Sequence, residues 1–212
     1  MTATAPPTRP FEPVFDSQST FRVVLDAMAR PGRVGLLTAT DSRCPLPGSA
    51  GLAAVAQTLL DHEVSFAVMP GLEESETAFT RYLAATTGSR PVSIEEADYV
   101  FAGAPFATNV LTALKRGSLA FPDEGATLLL LVNDIEDDSG VSVTMTGPGI
   151  PGTKARHLSG LGTETLAERR TANAEIPRGI DLLLVDTHGR VLGLPRTTQI
   201  TATEVKADAE AK

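Results

Sequence analysis

The chain has 212 residues, of which 42% are hydrophobic and 21% charged, and its formal net charge at pH 7 is −8. These proportions are typical of a globular domain that buries a substantial core without a metal or a disulfide. An acidic chain with no basic run repels a nucleic-acid backbone, so no nucleic-acid partner is expected. The single cysteine, Cys44, excludes an intramolecular disulfide and the usual multi-cysteine zinc site.

Both ends of the chain lack an apolar stripe. We predict a flexible N-terminal arm at residues 1–13, one α/β domain at 14–203 and a flexible charged tail at 204–212. The N-terminal residues have neither the basic flank nor the apolar core of a secretory signal. The longest apolar run, 128–132, is too short to span a bilayer. A cytoplasmic location and no membrane partner are therefore expected.

The first half of the chain alternates helical patterns with short apolar runs. The first predicted helix begins at Asp16 or Ser17, two good N-cap residues, and ends at Pro31-Gly32. Its inward face is predicted from residues at helical spacing, namely Phe21, Val24, Leu25 and Met28. The following pattern predicts strand 34–37, helix 50–60, strand 64–69, helix 74–86 closed by Gly88, strand 99–102 and helix 109–114.

The second half is dominated by strands. The continuous apolar run at 127–132 is typical of a strand buried on both faces, and 141–146 alternates like a half-buried strand. The acidic turn between them predicts an antiparallel hairpin. A helix at 162–174 and a second hairpin, formed by 181–185 and 191–194 around His188-Gly189, complete the pattern. Together these elements predict a single α/β domain with a mixed sheet flanked by helices.

Residues 147–152 read Gly-Pro-Gly-Ile-Pro-Gly, a literal G-x-G-x-x-G. In a dinucleotide-binding fold such glycines let backbone amides approach a pyrophosphate at a helix N-terminus. Pro148 and Pro151 have no N–H to donate, however, and no helix is predicted to begin at Gly152. A rigid turn at the end of a strand is the favoured interpretation.

Three segments carry cations that could hold a phosphate or phosphonate. The first is the loop 152–157, with the two cations Lys154 and Arg156, although a solvated basic loop is the commoner outcome. In the second, Arg196 precedes Thr197 and Thr198; it either binds an oxyanion or pairs with a carboxylate such as Asp181 or Asp186, and the residues leave these alternatives even. The third comprises Arg22, Arg30 and Arg33 around the first helix, where Arg30 also suits the helix dipole.

No full catalytic set assembles from the other reactive residues. The histidines, His62, His157 and His188, have no metal-ligand spacing, and a surface position is predicted for His62 and His188. Cys44 has little reason to be a nucleophile. Lys154 is the one lysine that could be considered for a Schiff base. The residues alone therefore indicate an α/β domain with candidate anion-binding loops.

Three blocks of sequence carry a family resemblance. They are 14–32, which includes Leu25-Asp26-Ala27-Met28-Ala29-Arg30-Pro31-Gly32; 117–128, which includes Gly117-Ser118-Leu119-Ala120-Phe121-Pro122; and Pro177-Arg178-Gly179-Ile180-Asp181 followed by Leu194-Pro195-Arg196-Thr197-Thr198. In order and spacing these blocks resemble PhnH, the H subunit of the bacterial carbon–phosphorus (C–P) lyase core complex. The resemblance covers about residues 11–200, and 72–97 match least.

The resemblance implies a fold similar to the pyridoxal-phosphate (PLP)-dependent transferases without the PLP site, and no cofactor in this subunit. It implies a homodimer alone, and partnership with the G, I and J subunits in the core complex. That complex supports formation of ribose 1-alkylphosphonate 5-triphosphate from ATP and an alkylphosphonate, so this chain would belong to a transferase complex without a complete active site of its own.

The family offers no catalytic residues to carry over, and no metal site is expected. Candidate ligand-binding residues are those that lie in or beside the family-like blocks and can bind phosphate: Arg22, Arg30, Arg33, Arg178, Arg196, Thr197 and Thr198. The same residues could instead organise the dimer or a docking surface. Two other functions remain open, a phosphonate- or nucleotide-binding module and a stand-alone nucleotide or PLP enzyme.

Overall fold

The structure, a computed structural model, describes residues 9–69, 76–106, 109–138 and 140–202. In these ranges the chain forms four helices, α1 (Phe15–Ala29), α2 (Ala50–Leu59), α3 (Glu76–Thr87) and α4 (Thr163–Ala172), and ten strands. A 3-10 turn lies at Pro122–Glu124. No helix among the described residues combines the length and apolar character needed to cross a membrane.

Seven strands form a large mixed sheet with the order β1-β9-β8-β5-β4-β2-β3. Their bounds are β1 (Val34–Leu36), β2 (Ser65–Val68), β3 (Arg90–Pro91), β4 (Tyr99–Gly103), β5 (Thr127–Val132), β8 (Asp181–Asp186) and β9 (Arg190–Leu194). Only β9 runs antiparallel to its neighbours, β1 and β8; the other pairs in this sheet are parallel. The prediction of an α/β fold with a mixed sheet is confirmed.

A second, antiparallel sheet has the order β10-β6-β7, with β6 (Val141–Thr146), β7 (Lys154–Leu158) and β10 (Gln199–Ala202). The large sheet is covered on both faces. Phe66, Leu129 and Leu183 pack toward the core formed with α1, α2 and α3. Their neighbours along the strands, such as Leu128 and Leu182, pack toward α4 and the small sheet. This alternation within continuous apolar runs is the pattern of strands buried on both faces.

The predicted hairpin between 127–132 and 141–146 is wrong. Strand β5 lies in the centre of the large sheet, where β4 and β8 occupy both of its edges in parallel. Strand β6 instead pairs with β7 and β10 in the small sheet. The acidic segment between β5 and β6 is therefore a crossing from one sheet to the other.

The predicted helix at 109–114 is also wrong, because this segment forms a series of turns. Asn109 has a φ of 66°, which a helix does not accommodate. The backbone N–H groups of Asn109 and Thr112 donate to the carboxylate of Glu168, at 3.0 and 3.2 Å. A side chain on α4 thus ties this segment down as turns.

Helix α1 has the predicted position, but only Val24 and Met28 of the four predicted inward residues pack against the core. Its buried residues are Asp16, Thr20, Val24 and Ala27, whereas Phe21 is 49% and Leu25 is 55% exposed. Asp16 is not the N-cap; its carboxylate lies inside the first turn and accepts from the guanidinium of Arg9 at 2.6 and 2.7 Å. The helix therefore shows part of its apolar surface to the outside.

The folded part of the chain begins before residue 14, the predicted start of the domain. Phe11 is 4% exposed and contacts Ala39 and Ala54 in a small apolar cluster of its own. The remainder of the predicted arm, residues 1–8, lies outside the described residues, as does the predicted tail.

Candidate functional site

A basic cleft of about 710 Å³ lies between the end of α1 and the connection from β6 to β7. Four cationic side chains line it, Arg30, Arg33, Lys154 and Arg156, and no carboxylate does. Two of the three candidate segments from the sequence, around Arg30 and around Lys154, are thereby brought into one site. Cationic side chains converging on a concave surface are suited to binding a phosphate-like anion.

Close backbone contacts hold the two walls of the cleft together. Gly149 has a φ of +81°, and a Cβ there would collide with the carbonyl oxygen of Ala29. Gly32 has a φ of +83°, and a Cβ there would lie 2.7 Å from the methyl carbon of Met145. The Nε of Arg156 donates to the carbonyl oxygen of Gly32 at 2.9 Å. The positive φ favours glycine at both positions, and at Gly149 the close approach of the Ala29 backbone leaves no room for a Cβ.

The cations of the cleft are only partly neutralised. Arg30 and Arg33 both pair with the carboxylate of Asp26, with Arg33 at 3.2 Å. Among the described residues Lys154 has no ion pair, while Arg156 also lines a small neighbouring pocket that contains Glu136, Asp137 and Asp138. Since Arg30 and Arg33 are 56% and 62% exposed, solvent and salt screen their contribution.

The G-x-G-x-x-G segment forms the turn from β6 to β7, so the rigid-turn interpretation is confirmed. The next element is strand β7 rather than a helix, which removes the N-terminal amides that a pyrophosphate would need. Lys154 and Arg156 lie two residues apart on this strand and therefore share one face. Their segment had been predicted to be a loop.

Of the two roles predicted for Arg196, the structure shows the ion pair with a carboxylate, that of Asp181. Its Nη2 lies 2.5 Å from Oδ2 of Asp181, its backbone N–H donates to Oδ1 at 2.6 Å, and its Nη1 donates to the carbonyl oxygen of Pro122 at 2.5 Å. A Cβ on Gly125 would collide with the carbonyl oxygen of Gly179 and lie 2.7 Å from the Arg196 guanidinium. Arg196 thus joins the second family-like block to the third.

The remaining candidates do not line the basic cleft, although the groove of Arg22 adjoins it through Arg33. Arg178 pairs with Glu175 at 2.8 Å, and Arg22 lines a shallow groove with Asp26 on the exposed side of α1. Thr197 and Thr198 line a different cavity, beside α4. The seven candidates therefore do not form one site.

The predicted anion-binding loop 152–157 included Arg156 beside Lys154, whereas sequence reasoning missed Arg169. Arg156 completes the basic cleft, and Arg169 is a buried arginine of α4 that lies beside Thr198. A signal for Arg169 was available, because Leu166 and Ala172 place it in the middle of the apolar face of its helix, and both are buried. A charged residue on a buried apolar face is rare and points to a specific structural or functional role.

The other reactive groups show no catalytic arrangement. Burial raises the pKa of the Cys44 thiol, whose Sγ lies 3.0 Å from the hydroxyl of Ser49, so a thiolate is disfavoured. His62 and His188 are exposed, as predicted. Among the described residues, no group of three or more His, Cys, Asp or Glu side chains is placed to hold a metal ion.

Fold and site together define an α/β protein with a cationic cleft between the end of α1 and β7. The family described as "Bacterial phosphonate metabolism protein (PhnH)" matches residues 11–201. The chain belongs to this family, and its role is in phosphonate catabolism. The resemblance found in the three sequence blocks is confirmed.

Two curated relatives agree with this assignment. The chain is 33% identical over 190 residues to the "Alpha-D-ribose 1-methylphosphonate 5-triphosphate synthase subunit PhnH" of Rhizobium meliloti (strain 1021), covering 89% of this chain and 92% of the relative. It is 34% identical over 186 residues to the "Putative C-P lyase subunit protein HtxG" of Stutzerimonas stutzeri, covering 86% and 85%. Both are named as subunits.

Proposed function

We propose that this chain is a subunit of a cytoplasmic C–P lyase core complex and supports formation of ribose 1-alkylphosphonate 5-triphosphate from ATP and an alkylphosphonate. The observation that carries the proposal is the family match over residues 11–201, together with two relatives named as subunits. The proposed partners are a second copy of this chain and the G, I and J subunits. The chemistry would reside in those partners, and this chain would supply binding surfaces and no cofactor.

An exposed apolar surface on α1 supports a role in assembly. Val14 is 70%, Phe21 49% and Leu25 55% exposed, and their spacing places them along one side of the helix. Phe15, beside them, is 76% exposed. Contiguous apolar side chains on the outside of a protein are typical of interaction sites.

Co-expression of the tagged chain with the G, I and J subunits of the same system should give a stoichiometric complex, measured by native mass determination. The double change Phe21→Ser and Leu25→Ser should weaken subunit association at least about tenfold, because it removes apolar area from the contact. Leu119→Ser, at an exposed apolar residue outside α1, is the matched control and should assemble normally. A lone dimer that ignores the three subunits would contradict the proposed function.

The basic cleft is proposed to hold a phosphate or phosphonate group of a ligand. Lys154→Gln should weaken binding of methylphosphonate about fivefold at low ionic strength, because it removes the cation that has no carboxylate partner. Added salt should shrink the difference. Calorimetric titration is the measurement, and Arg81→Gln, an exposed change on α3, is the control. Equal affinities in the wild type and Lys154→Gln would exclude the cleft as the site.

We further propose that the large sheet is related to that of the PLP-dependent transferases and that the cofactor site has been lost. The mostly parallel order of the seven strands supports a relationship of this kind. So does the position of Lys115, which pairs with Asp98 at 2.5 Å and is not free to form a Schiff base. An absorbance band from an internal aldimine, lost in Lys154→Ala, would contradict this proposal and favour a stand-alone PLP enzyme.

A further inference from the structure

A second cavity, of about 480 Å³, lies between α4 and β10 and shares no lining residue with the basic cleft. Arg169, Arg170 and Arg196 line it, and no carboxylate does. Arg196 is already paired with Asp181. On a chain with a net charge of −8, a concave surface with two further arginines selects for anions.

Arg169 is the unusual member of this cavity. It is 3% exposed and donates only to backbone carbonyl oxygens, those of Thr198 at 3.0 Å, Leu194 at 3.2 Å and Pro195 at 2.5 Å. Burial lowers its pKa to about 10, so it keeps its charge at neutral pH. Buried charges in proteins are normally compensated by a charge of opposite sign. The hydrogen-bond partners of Arg169 are neutral, and Asp181, the carboxylate whose charge partly offsets the lowering of its pKa, is itself paired with Arg196.

Two buried polar atoms in the same cavity wall have no hydrogen-bond partner. They are Nε of Arg169 and Oγ1 of Thr198, a residue that is 2% exposed. Buried donors without partners are rare in folded proteins because each carries the full cost of its desolvation. Both residues line the cavity, and a rotation of the Thr198 side chain about χ1 would turn its hydroxyl from this inaccessible position toward a ligand oxygen.

We infer that the α4–β10 cavity binds a tetrahedral phospho-oxyanion, either free or carried by a small organic group. The hydroxyl of Thr198 donates to the anion, and the charges of Arg169 and Arg170 neutralise it. Asn173 and Gln199 add polar groups, while Leu166 and Ile176 offer an apolar side to an organic substituent. The inference rests on the residues of this cavity and does not depend on the proposed assembly.

Thr198→Val is the decisive variant. Valine keeps the shape of threonine and removes a hydroxyl that has no partner, so the unliganded protein should keep its melting temperature or gain slightly. Binding of methylphosphonate should weaken about tenfold, because a hydrogen bond to a charged ligand is lost. Arg170→Gln should weaken binding as well, since it removes an exposed positive charge at the cavity. Thr171→Val, at an exposed residue of the same helix outside the cavity, should bind normally.

All titrations are made in a background that carries Arg30→Gln, Arg33→Gln and Lys154→Gln, so that three of the four cations of the basic cleft are removed. Sodium chloride at equal ionic strength is the reference. Equal affinity for inorganic phosphate and methylphosphonate would assign the cavity to the free oxyanion, and a preference for methylphosphonate to an organic phosphonate. Two results would overturn the inference: no binding of either probe above the chloride reference, or unchanged affinity in Thr198→Val.

Discussion

Arg196→Ala is expected to lower the free energy of unfolding by about 3–5 kcal/mol, the range seen when one partner of a buried ion pair is removed. Arg196 and Asp181 are only 14% and 17% exposed, so the carboxylate left behind cannot regain full hydration. The change also takes a donor from the carbonyl oxygen of Pro122, in a turn that belongs to another part of the chain. Two stabilising connections are lost together.

Urea unfolding followed by circular dichroism at pH 7 measures this effect. Arg22→Ala is the matched control, because Arg22 is exposed and its replacement should change stability by no more than about 0.5 kcal/mol. Asp181→Asn should act in the same direction as Arg196→Ala. An Arg196→Ala protein of normal stability that has lost methylphosphonate binding would restore Arg196 to the ligand-binding residues.

Elements of the fold can be predicted from the sequence where a local pattern is compatible with a single structure. The pairing of β8 with β9 was predictable because a tight turn at His188-Gly189 joins two apolar runs. The position of β6 was not, since an acidic turn between two strands is compatible both with a hairpin and with a crossing between sheets. The hairpin is excluded because β4 and β8, which come from distant segments, occupy both edges of β5.

The outward face of α1 shows a second limit of sequence reasoning. Phe21 and Leu25 lie at helical spacing with Val24, and periodicity predicts that all three belong to a buried face. In the structure Val24 is buried with Asp16 and Thr20, two polar residues, while Phe21 and Leu25 remain outside. Helical periodicity does not distinguish an apolar residue exposed on the surface from one buried in the core.

The candidate sites show what block-wise resemblance can and cannot supply. The resemblance led to Arg30 and Arg33 in the basic cleft and to Thr198 in the α4–β10 cavity. It did not distinguish these candidate ligand-binding residues from Arg196, which forms an ion pair with Asp181. Whether an arginine is available to a ligand depends on its distance from the nearest carboxylate. Such distances are set by the packing of segments far apart in sequence.

Asp41 is the centre of a second buried polar network, and Asp41→Asn should cost about 3 kcal/mol at pH 7. Its side chain is fully buried and accepts from Nη2 of Arg43 at 2.8 Å, from the amide of Gln57 at 2.7 Å and from the hydroxyl of Tyr82 at 2.6 Å. Gln57 lies on α2 and Tyr82 on α3, so one carboxylate joins two helices to the loop after β1. Asparagine cannot serve all these donors, because its amide nitrogen accepts nothing.

Burial alone would raise the pKa of Asp41, but the hydrogen bonds from Arg43, Tyr82 and Gln57 outweigh it and hold the pKa well below its ordinary value of 3.8. A carboxyl whose pKa is lower in the folded state stabilises the fold fully above its unfolded pKa and loses that contribution as the pH falls toward its folded pKa. The stability gap between the wild type and Asp41→Asn should therefore be constant near neutrality and narrow below about pH 5.

Urea unfolding at a series of pH values between neutrality and acid measures that gap. Tyr82→Phe is the control, since it removes one donor and keeps the carboxylate, and it should cost about 1 kcal/mol. Burial and then the hydrogen bond to Asp41 raise the pKa of the Tyr82 phenol, so it remains a donor throughout the neutral range. A gap that stayed constant into acid would mean that Asp41 stabilises the fold through shape rather than charge, and the proposed network would then be wrong.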